Sequence, residues 1–215
     1  MTVNERRLRE REARRNLILD AARAAFLANG FEAATMGDVA LRAQLGKGTL
    51  YNYFNTKNEL LLGVVVRDQG RVIERFECAS EAASDGLQLV KRLMHVFIQH
   101  MGDPPERLQL AMTRWASGRC FPDESHCTEQ FRENVRRILG LFTAAVVRGQ
   151  QDGTIRANCE PVATTMHLWA ALLGIMLQRL QLNCLPQPNP FAGMMPGYDQ
   201  AIEFFARALS CQGDT

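Results

Sequence analysis

The stretch that decides the fold is residues 35–63, TMGDVALRAQLGKGTLYNYFNTKNELLLG. Thr35, with Asp38 three residues later, resembles a capping box and predicts the start of a short helix. Leu45 lies in a tight connection, and a second short helix is predicted from about Lys47 to Phe54. Two helices joined by a turn of three or four residues indicate a helix-turn-helix.

The second of these helices is too short to be explained by packing alone. Leu50 and Phe54 are four residues apart and share one face, which we expect to point inward, while Thr49, Asn52 and Tyr53 point mostly outward. Gly48 lets the start of the helix approach another surface closely. This mixture of small, hydroxyl, aromatic and basic residues is typical of a surface that enters a DNA groove.

The next helix begins with a second capping box, Thr56-Lys57-Asn58-Glu59. A cation in the first turn of a helix opposes the helix dipole, although a helix N-terminus also attracts anions. Both facts are satisfied if an anion such as a DNA phosphate lies beside Lys57. The alternative is a surface lysine with no role.

The residues before this stretch predict a first amphipathic helix, which ends at Asn29-Gly30. Its buried face consists of Ile18, Ala21, Ala22, Ala25 and Phe26. Residues 5–15, ERRLREREARR, carry six Arg and three Glu, and form either a frayed helical extension or a mobile arm. Such a segment is either a solvated helix start or an arm that contacts DNA.

The remainder of the chain predicts helices throughout, so the expected fold class is all-α. We place a DNA-binding domain at 1–57 and a larger helical domain at 58–215, linked by a helix from 57 to about 76. Pro104 and Pro161 are expected at first helical positions, and residues 183–197 at a loop. The later helices are predicted at about 85–101, 104–117, 124–151, 161–182 and 198–210.

Charge and composition restrict the class of protein. Residues 1–57 hold ten Lys/Arg and six Asp/Glu, whereas the rest holds fifteen and seventeen, so a basic end precedes a slightly acidic body. The longest uncharged apolar run, 168–177, is too short for a bilayer, and no signal peptide is visible, so we expect a soluble, cytoplasmic protein without a membrane partner. No nucleophile elbow, phosphate-binding loop or dinucleotide fingerprint is present, and we therefore expect neither an enzyme nor a cofactor.

With these residues in hand, the chain resembles the TetR family of bacterial transcriptional regulators. The match is strongest from Ile18 to Leu62, and the combined spacing of Thr35, GTLYNYF and TKNELL is specific. Two departures affect the turn: family members usually carry Gly where this chain has Gln44, and often Ser where it has Gly46. Both changes lie just before the predicted second helix, so they affect the base contacts and not the fold.

The resemblance implies about nine helices, of which three form the DNA-binding domain and the last two pack against a second subunit. It also implies a homodimer on a partly palindromic double-stranded operator, usually a repressor released by a small ligand. By motif position, the candidate DNA-binding residues are Thr35, Lys47, Gly48, Thr49, Tyr51, Asn52, Tyr53 and Lys57. Lys47, Thr49 and Asn52 are the candidates for base edges, and Tyr51, Tyr53, Lys57 and Thr35 for phosphates.

The same resemblance implies a pocket among the middle helices, for a largely apolar or cationic aromatic effector. Its candidate lining is Phe97, Met101, Met112, Trp115, Phe121, Phe142, Met166, His167 and Trp169. The alternative for each is an ordinary core residue. The penultimate helix is apolar nearly all round, so one side is expected to face a partner subunit, with an intramolecular core as the alternative. The candidate dimer residues are Trp169, Leu173, Met176, Phe204 and Phe205.

Six cysteines occur without a CxxC pair. Cys120 and Cys127, with His126 beside the latter, offer an oxidation or metal site, but the spacing is not a recognised zinc motif and no fourth ligand is evident. We expect inert buried cysteines and no metal site, and the alternative functions are a thiol-redox-responsive regulator and a regulator with no ligand.

Overall fold

The fold is all-α, as predicted. The computed structural model describes residues 2–116, 125–183 and 196–211, and within those ranges it contains nine α-helices and no strand beyond one isolated bridge between Ile155 and Ser210. The helices are α1 Val3–Asn29, α2 Met36–Arg42, α3 Lys47–Tyr51, α4 Lys57–Glu81, α5 Gly86–Gly102, α6 Glu106–Ala116, α7 His126–Gln151, α8 Pro161–Asn183 and α9 Tyr198–Leu209. Most of the predicted loop at 183–197 lies outside the described residues.

The chain divides into two compact units. Unit 1 comprises residues 1–68 and 110–132, and unit 2 comprises residues 69–109 and 133–215. The predicted domain boundary at residue 57 stays a prediction. Unit 1 takes in the first turns of α4. The reason is that Leu60, Leu61 and Leu62 are buried in the same hydrophobic core as α1, α2 and α3.

The core of unit 1 follows from the helical spacing of α1. Ile18, Ala22 and Phe26 are buried on α1, and the ring of Phe26 packs edge-on against Phe31 with centroids 5.3 Å apart. Phe54 enters the same core and lies against Leu19 beside Gly63. This packing holds α2, α3 and the start of α4 against one side of α1.

The segment before this core is helical. Thr2 caps α1, its hydroxyl accepting from the Glu5 amide at 3.3 Å and its own amide donating to the Glu5 carboxylate at 2.9 Å. Of the two predictions for residues 5–15, the helical extension is confirmed.

The structure confirms one of the two prolines that were predicted at first helical positions and contradicts the other. Pro161 is the first residue of α8, as predicted, and the Glu160 carboxylate accepts the amides of Val162 and Ala163 at 3.1 and 2.5 Å. Pro104 was wrongly predicted as a first helical residue, because α6 begins at Glu106 after a turn that holds both Pro104 and Pro105.

The core of unit 2 is built around an aromatic cluster of Phe76, Phe97, Phe142 and Trp169. Trp169 of α8 lies 4.6 Å from Phe97 and 6.4 Å from Phe142, and Phe142 lies 5.6 Å from Phe76, measured between ring centroids. These edge and tilted geometries are those that aromatic rings favour. The cluster joins α4, α5, α7 and α8 in one core.

Helix α8 is the segment on which the prediction of no membrane span depends. Between Pro161 and Leu182 it is long and apolar enough, by length and composition alone, to cross a bilayer. Core helices of water-soluble proteins meet the same criterion. Leu168, Leu172 and Met176 of α8 are buried in unit 2, whereas Val162 and Met166 are exposed, and 28% of the apolar window is buried.

Candidate functional site

The start of α2 is fixed by a closed hydrogen-bond ring between Thr35 and Asp38. The Thr35 hydroxyl accepts from the Asp38 amide at 3.2 Å, and the Asp38 carboxylate accepts from the Thr35 amide at 2.9 Å. These hydrogen bonds from Thr35 hold the pKa of Asp38 below its usual range. The predicted capping box is present, with Asp in place of the longer Glu.

In the turn after α2, the two departures from the family pattern, Gln44 and Gly46, each have a structural consequence. Gln44 has a φ of 55°, and it is the one residue other than glycine with a positive φ in the described ranges. Such a backbone costs an L-residue about 1–2 kcal/mol. Gly46 caps α3 without a side-chain hydrogen bond. Leu45 packs partly buried against the core.

Helix α3 is shorter than predicted, because regular helix ends at Tyr51 rather than at Phe54. Backbone hydrogen bonds over three and four residues nevertheless continue to Phe54. The Asn52 amide donates to Gly48 and Thr49 carbonyls at 3.3 Å each, and the Tyr53 and Phe54 amides donate to the Leu50 carbonyl at 3.0 and 3.1 Å. Leu50 and Phe54 are buried, as their spacing predicts.

The candidate DNA-binding residues of α3 and its following turn lie together on one surface. Lys47, Gly48, Tyr51 and Asn52 are exposed, while Thr49 and Tyr53 are half-buried. Tyr53 packs partly against the core, so it points outward less than expected. Lysine, threonine and asparagine side chains suit base edges, and tyrosine hydroxyls suit phosphates.

Sequence reasoning missed the role of Gly37, which brings α3 close to the start of α2. A Cβ on Gly37 would lie 3.0 Å from Cε of Lys47 and 3.4 Å from Oγ1 of Thr35. The absence of a side chain therefore lets Lys47 lie against α2 beside Thr35. The only signal in the sequence is a glycine at the second helical position, where helix propensity disfavours it.

Lys57 is anchored on the connection between α1 and α2. Its ammonium donates to the Phe31 carbonyl at 2.7 Å and the Glu32 carbonyl at 2.9 Å, and lies 4.6 Å from the centre of the Phe31 ring. Glu59 completes the start of α4: its amide donates to the Thr56 hydroxyl at 3.0 Å, and its carboxylate accepts the Asn55 amide at 2.8 Å. An ammonium has three N–H groups, so one remains after the two carbonyl bonds.

Comparison with known proteins matches residues 18–64 to the family of bacterial regulatory proteins called the tetR family. The chain is 37% identical over 168 residues to the HTH-type transcriptional regulator UidR of Escherichia coli K12, covering 78% of this chain and 82% of UidR. The chain belongs to the TetR family. It is thus a helix-turn-helix transcriptional regulator, from a family that is not one of enzymes.

Two further TetR-like proteins extend the comparison beyond the DNA-binding end. The HTH-type transcriptional repressor KstR of Mycobacterium tuberculosis is 29% identical over 167 residues, covering 78% of this chain and 69% of KstR. The solved structure of FadR from Bacillus subtilis in complex with stearoyl-CoA has a TM-score of 0.68 at 14% identity, covering 93% of this chain and 98% of FadR. At that identity the FadR likeness establishes the fold of the TetR family.

The residues predicted for a TetR-type pocket differ in burial. Phe97 and Phe142 are buried in the aromatic cluster of unit 2, and Met101 and Met112 are half-buried. Met166 and His167 are exposed on α8, so they do not line the same core as Phe97. The Trp115 side chain and Phe121 lie outside the described part of the chain.

The predicted dimer residues also divide into two groups. Trp169 and Met176 face the core of their own subunit: Trp169 packs on Phe97 and Phe142, and Met176 is buried. Leu173 and Phe205 are half-buried, whereas Phe204 is 68% exposed on α9. Helix α8 has its own exposed apolar side chains, Val162 and Met166. Helical spacing alone could not separate the inward from the outward face of such an apolar helix.

The described cysteines are all free thiols, of which Cys78 and Cys211 are exposed, Cys159 is half-buried and Cys127 is buried. Cys127 is buried in unit 1 with its Sγ 3.8 Å from a guanidinium nitrogen of Arg15, and burial raises the pKa of its thiol despite that positive charge. A protonated thiol is a poor nucleophile. No group of three or more His, Cys, Asp or Glu in the described residues could hold a metal ion. Cys120 lies outside them.

Proposed function

We propose that this TetR-family regulator is a cytoplasmic homodimeric repressor. It binds a partly palindromic operator and leaves it when a small, largely apolar ligand binds. The observation that carries the proposal is the surface formed by α3 and the start of α2. Exposed Lys47 lies there beside Thr35, and Asn52 is exposed at the end of α3. In a dimeric helix-turn-helix protein, two such surfaces enter successive major grooves about 34–36 Å apart.

Within each half-site, Lys47, Thr49 and Asn52 read base edges. Asparagine can pair bidentately with adenine, and the threonine methyl group can contact thymine. Tyr51, Tyr53 and Thr35 hold phosphates, and Lys57 uses its remaining N–H for the same purpose. Exposed Gly48 allows the backbone of α3 to approach the DNA closely.

The dimer is supported by apolar side chains left exposed on the last two helices. Phe204 on α9 is 68% exposed, and Val162 and Met166 on α8 are 58% and 47% exposed. Exposed aromatic and thioether groups on neighbouring elements are typical of protein interfaces. Sedimentation of the purified protein is expected to give a dimer, and a monomer at operator-saturating concentration would contradict the proposal.

The ligand site is supported by the aromatic cluster of unit 2 and by the stearoyl-CoA held by FadR, which shares the fold. The direct probe is the fluorescence of Trp169 in a Trp115→Phe background, titrated with stearoyl-CoA. A saturable change with stearoyl-CoA but not with free CoA is expected for an apolar site. Equal responses to both molecules would contradict it.

Repression is tested by transcription in vitro from a promoter that carries an operator selected from random-sequence duplex DNA by the purified protein. Transcript is expected to fall when the protein is added and to recover when the effector follows. A rise on addition of protein would make it an activator. The thiol-redox alternative predicts that a reductant changes the affinity for the operator. We expect no such change through Cys127, because its thiol is buried.

A further inference from the structure

The first three turns of α1 project beyond the core of unit 1. Every described residue from Val3 to Arg14 is exposed, and the first buried residue of α1 is Ile18. The segment is nevertheless part of one continuous helix with a closed capping box at Thr2. At 1.5 Å per residue, these twelve residues reach about 18 Å past the core. We call residues 3–14 the arginine arm.

Three arginines of the arm form one face. Arg7, Arg11 and Arg14 follow a spacing of four and three residues, which places them on one side of a helix. The same spacing continues through Ile18 and Ala21, which are buried. The arginine face is thus the continuation of the side of α1 that packs on α2, α3 and α4.

The acidic residues of the arm do not neutralise this face. Glu5 is bound by the Thr2 amide at 2.9 Å, Glu10 by Arg6 at 2.8 Å and Glu12 by Asn16 at 3.4 Å. Arg7, Arg11 and Arg14 make no hydrogen bond or ion pair within the ranges that the structure describes. Three guanidinium groups therefore face outward together.

The arm leaves the core beside the end of α3. Arg15, the next residue, places its guanidinium 5.5 Å from the centre of the Phe54 ring. Phe54 follows α3 by three residues and closes the turn that holds Asn52. The base of the arm is thus anchored on the buried side of the turn that follows α3, in the same compact unit as the helix-turn-helix.

We propose that the arginine arm binds the sugar-phosphate backbone of the operator outside the base pairs read by α3. This inference rests on the proposed DNA-binding function and extends its interface. Guanidinium groups match phosphate geometry bidentately, and a row of them on a rigid helix complements the regular charge of a duplex. The occupant is DNA rather than an acidic protein because the arm belongs to the same compact unit as α3 and its base lies against Phe54, at the end of the α3 turn.

The test is the double variant Arg7→Gln/Arg11→Gln, matched by Arg75→Gln/Arg92→Gln, which removes two exposed arginines from unit 2. Glutamine has nearly the helix propensity of arginine, so α1 is expected to keep its circular dichroism signal. Binding is measured against salt concentration on the selected operator and on an unrelated duplex of equal length. The slope of log K against log[salt] is expected to shrink by about 1.8 for the arm variant on both duplexes, at roughly 0.9 per phosphate lost. The control is expected to keep the wild-type slope.

The second measurement is binding to a duplex trimmed to the inverted repeat. The arm variant and the wild type are expected to bind the trimmed duplex equally, because the flanking phosphates are gone. Equal slopes for arm variant, control and wild type on the long duplexes would overturn the proposal. The proposal would also be overturned if the arm variant lost as much binding on the trimmed duplex as on the long duplexes. Selection of a specific operator by the arm variant, with a wild-type slope, would overturn the arm and leave the proposed function standing.

Discussion

At the scale of single residues, Asn52 offers the cleanest test of base reading. Its side chain is exposed, and its backbone amide, bound to Gly48 and Thr49, is unaffected by substitution. Asn52→Ala is therefore expected to change the free energy of unfolding by less than about 0.5 kcal/mol. It should relax preference at particular base pairs by about 1–3 kcal/mol. Asn55→Ala, another exposed asparagine past the turn, is the matched control, and binding to all single-base operator variants is the measurement. An unchanged preference in Asn52→Ala would remove it from the base-reading residues.

Lys57 is expected to act on stability and on DNA together. Lys57→Ala removes two charged hydrogen bonds to the Phe31 and Glu32 carbonyls, so unfolding in urea should show a loss of about 1.5–3 kcal/mol. If the remaining N–H contacts a phosphate, affinity should fall about equally for all sequences and the salt slope should drop by roughly one. A stability loss with an unchanged salt slope would restrict Lys57 to holding the connection between α1 and α2.

At the scale of single residues, the sequence predicts local features but not contacts between distant parts of the chain. The inward direction of Leu50 and Phe54 follows from a spacing of four, and the strained turn at Gln44 from the place where the resembled family has glycine. The carbonyl partners of Lys57 lie 26 and 25 residues away along the chain. Local pattern carries no information about such contacts, since they depend on how α1 and α4 pack.

At the scale of elements, the cap of α2 predicts a dependence on pH. The pKa of Asp38 is lowered in the folded protein by hydrogen bonds from Thr35, so the unfolded chain binds its proton more readily. The stabilisation is therefore complete above the usual carboxyl range and is lost as the pH falls through the folded pKa. Between about pH 5 and about pH 3, Asp38→Asn should lose less stability than the wild type in urea unfolding. Parallel losses in the two proteins would contradict this role.

The contact between α5 and α7 predicts a strong effect of a single methyl group. A Cβ on Gly86 would lie 2.0 Å from the backbone nitrogen of Gly149, and the Gly86 amide donates to Asp152 at 2.7 Å. Gly86→Ala is expected to lower the free energy of unfolding by about 3 kcal/mol, at the upper end of what an overpacked core usually costs. Gly140→Ala on α7 has open space and should instead gain about 0.5–1 kcal/mol from helix propensity. Thermal unfolding of both variants checks the pair, and equal melting temperatures would show that α5 can move away from α7.

Element boundaries were predictable where a cap is encoded nearby. Thr35, Thr56 and Pro161 each mark the helix start that the structure has. The start of α6 was missed because two successive prolines, Pro104 and Pro105, allow more than one first turn. The end of α3 was missed because hydrogen bonds continue to Phe54 after regular helix has ended.

At the scale of the whole molecule, the proposed dimer depends on the exposed ring of Phe204. Phe204→Glu places a charge where an apolar contact is expected, and a buried unpaired charge is strongly unfavourable. Sedimentation should then show a monomer, with loss of tight operator binding. Leu17→Glu changes a comparably apolar exposed residue on α1 and should leave the dimer intact. A Phe204→Glu protein that remains dimeric would place the interface elsewhere.

Long-range organisation was only partly predictable from the sequence. The all-α class follows from helical periodicity. Trp169 and Met176, predicted as dimer residues, pack into the core of their own unit, and a role for them in a dimer stays a prediction. An apolar helix gives no periodic signal to separate an internal face from an interface. The first unit extends to Asp68 because the leucines after Thr56 complete its core, which is a property of packing and not of composition.

The central claim is that α3 of a dimer reads a specific operator, and selection of the purified protein on random-sequence duplex DNA tests it most directly. Sequencing of the retained duplexes is expected to show an inverted repeat, with half-site centres about 10–10.5 base pairs or a multiple of that apart. In the pool retained by Asn52→Ala, the same repeat should appear with relaxed preference at particular base pairs. Retention of duplexes with no enriched motif, through salt-sensitive general binding alone, would contradict the claim.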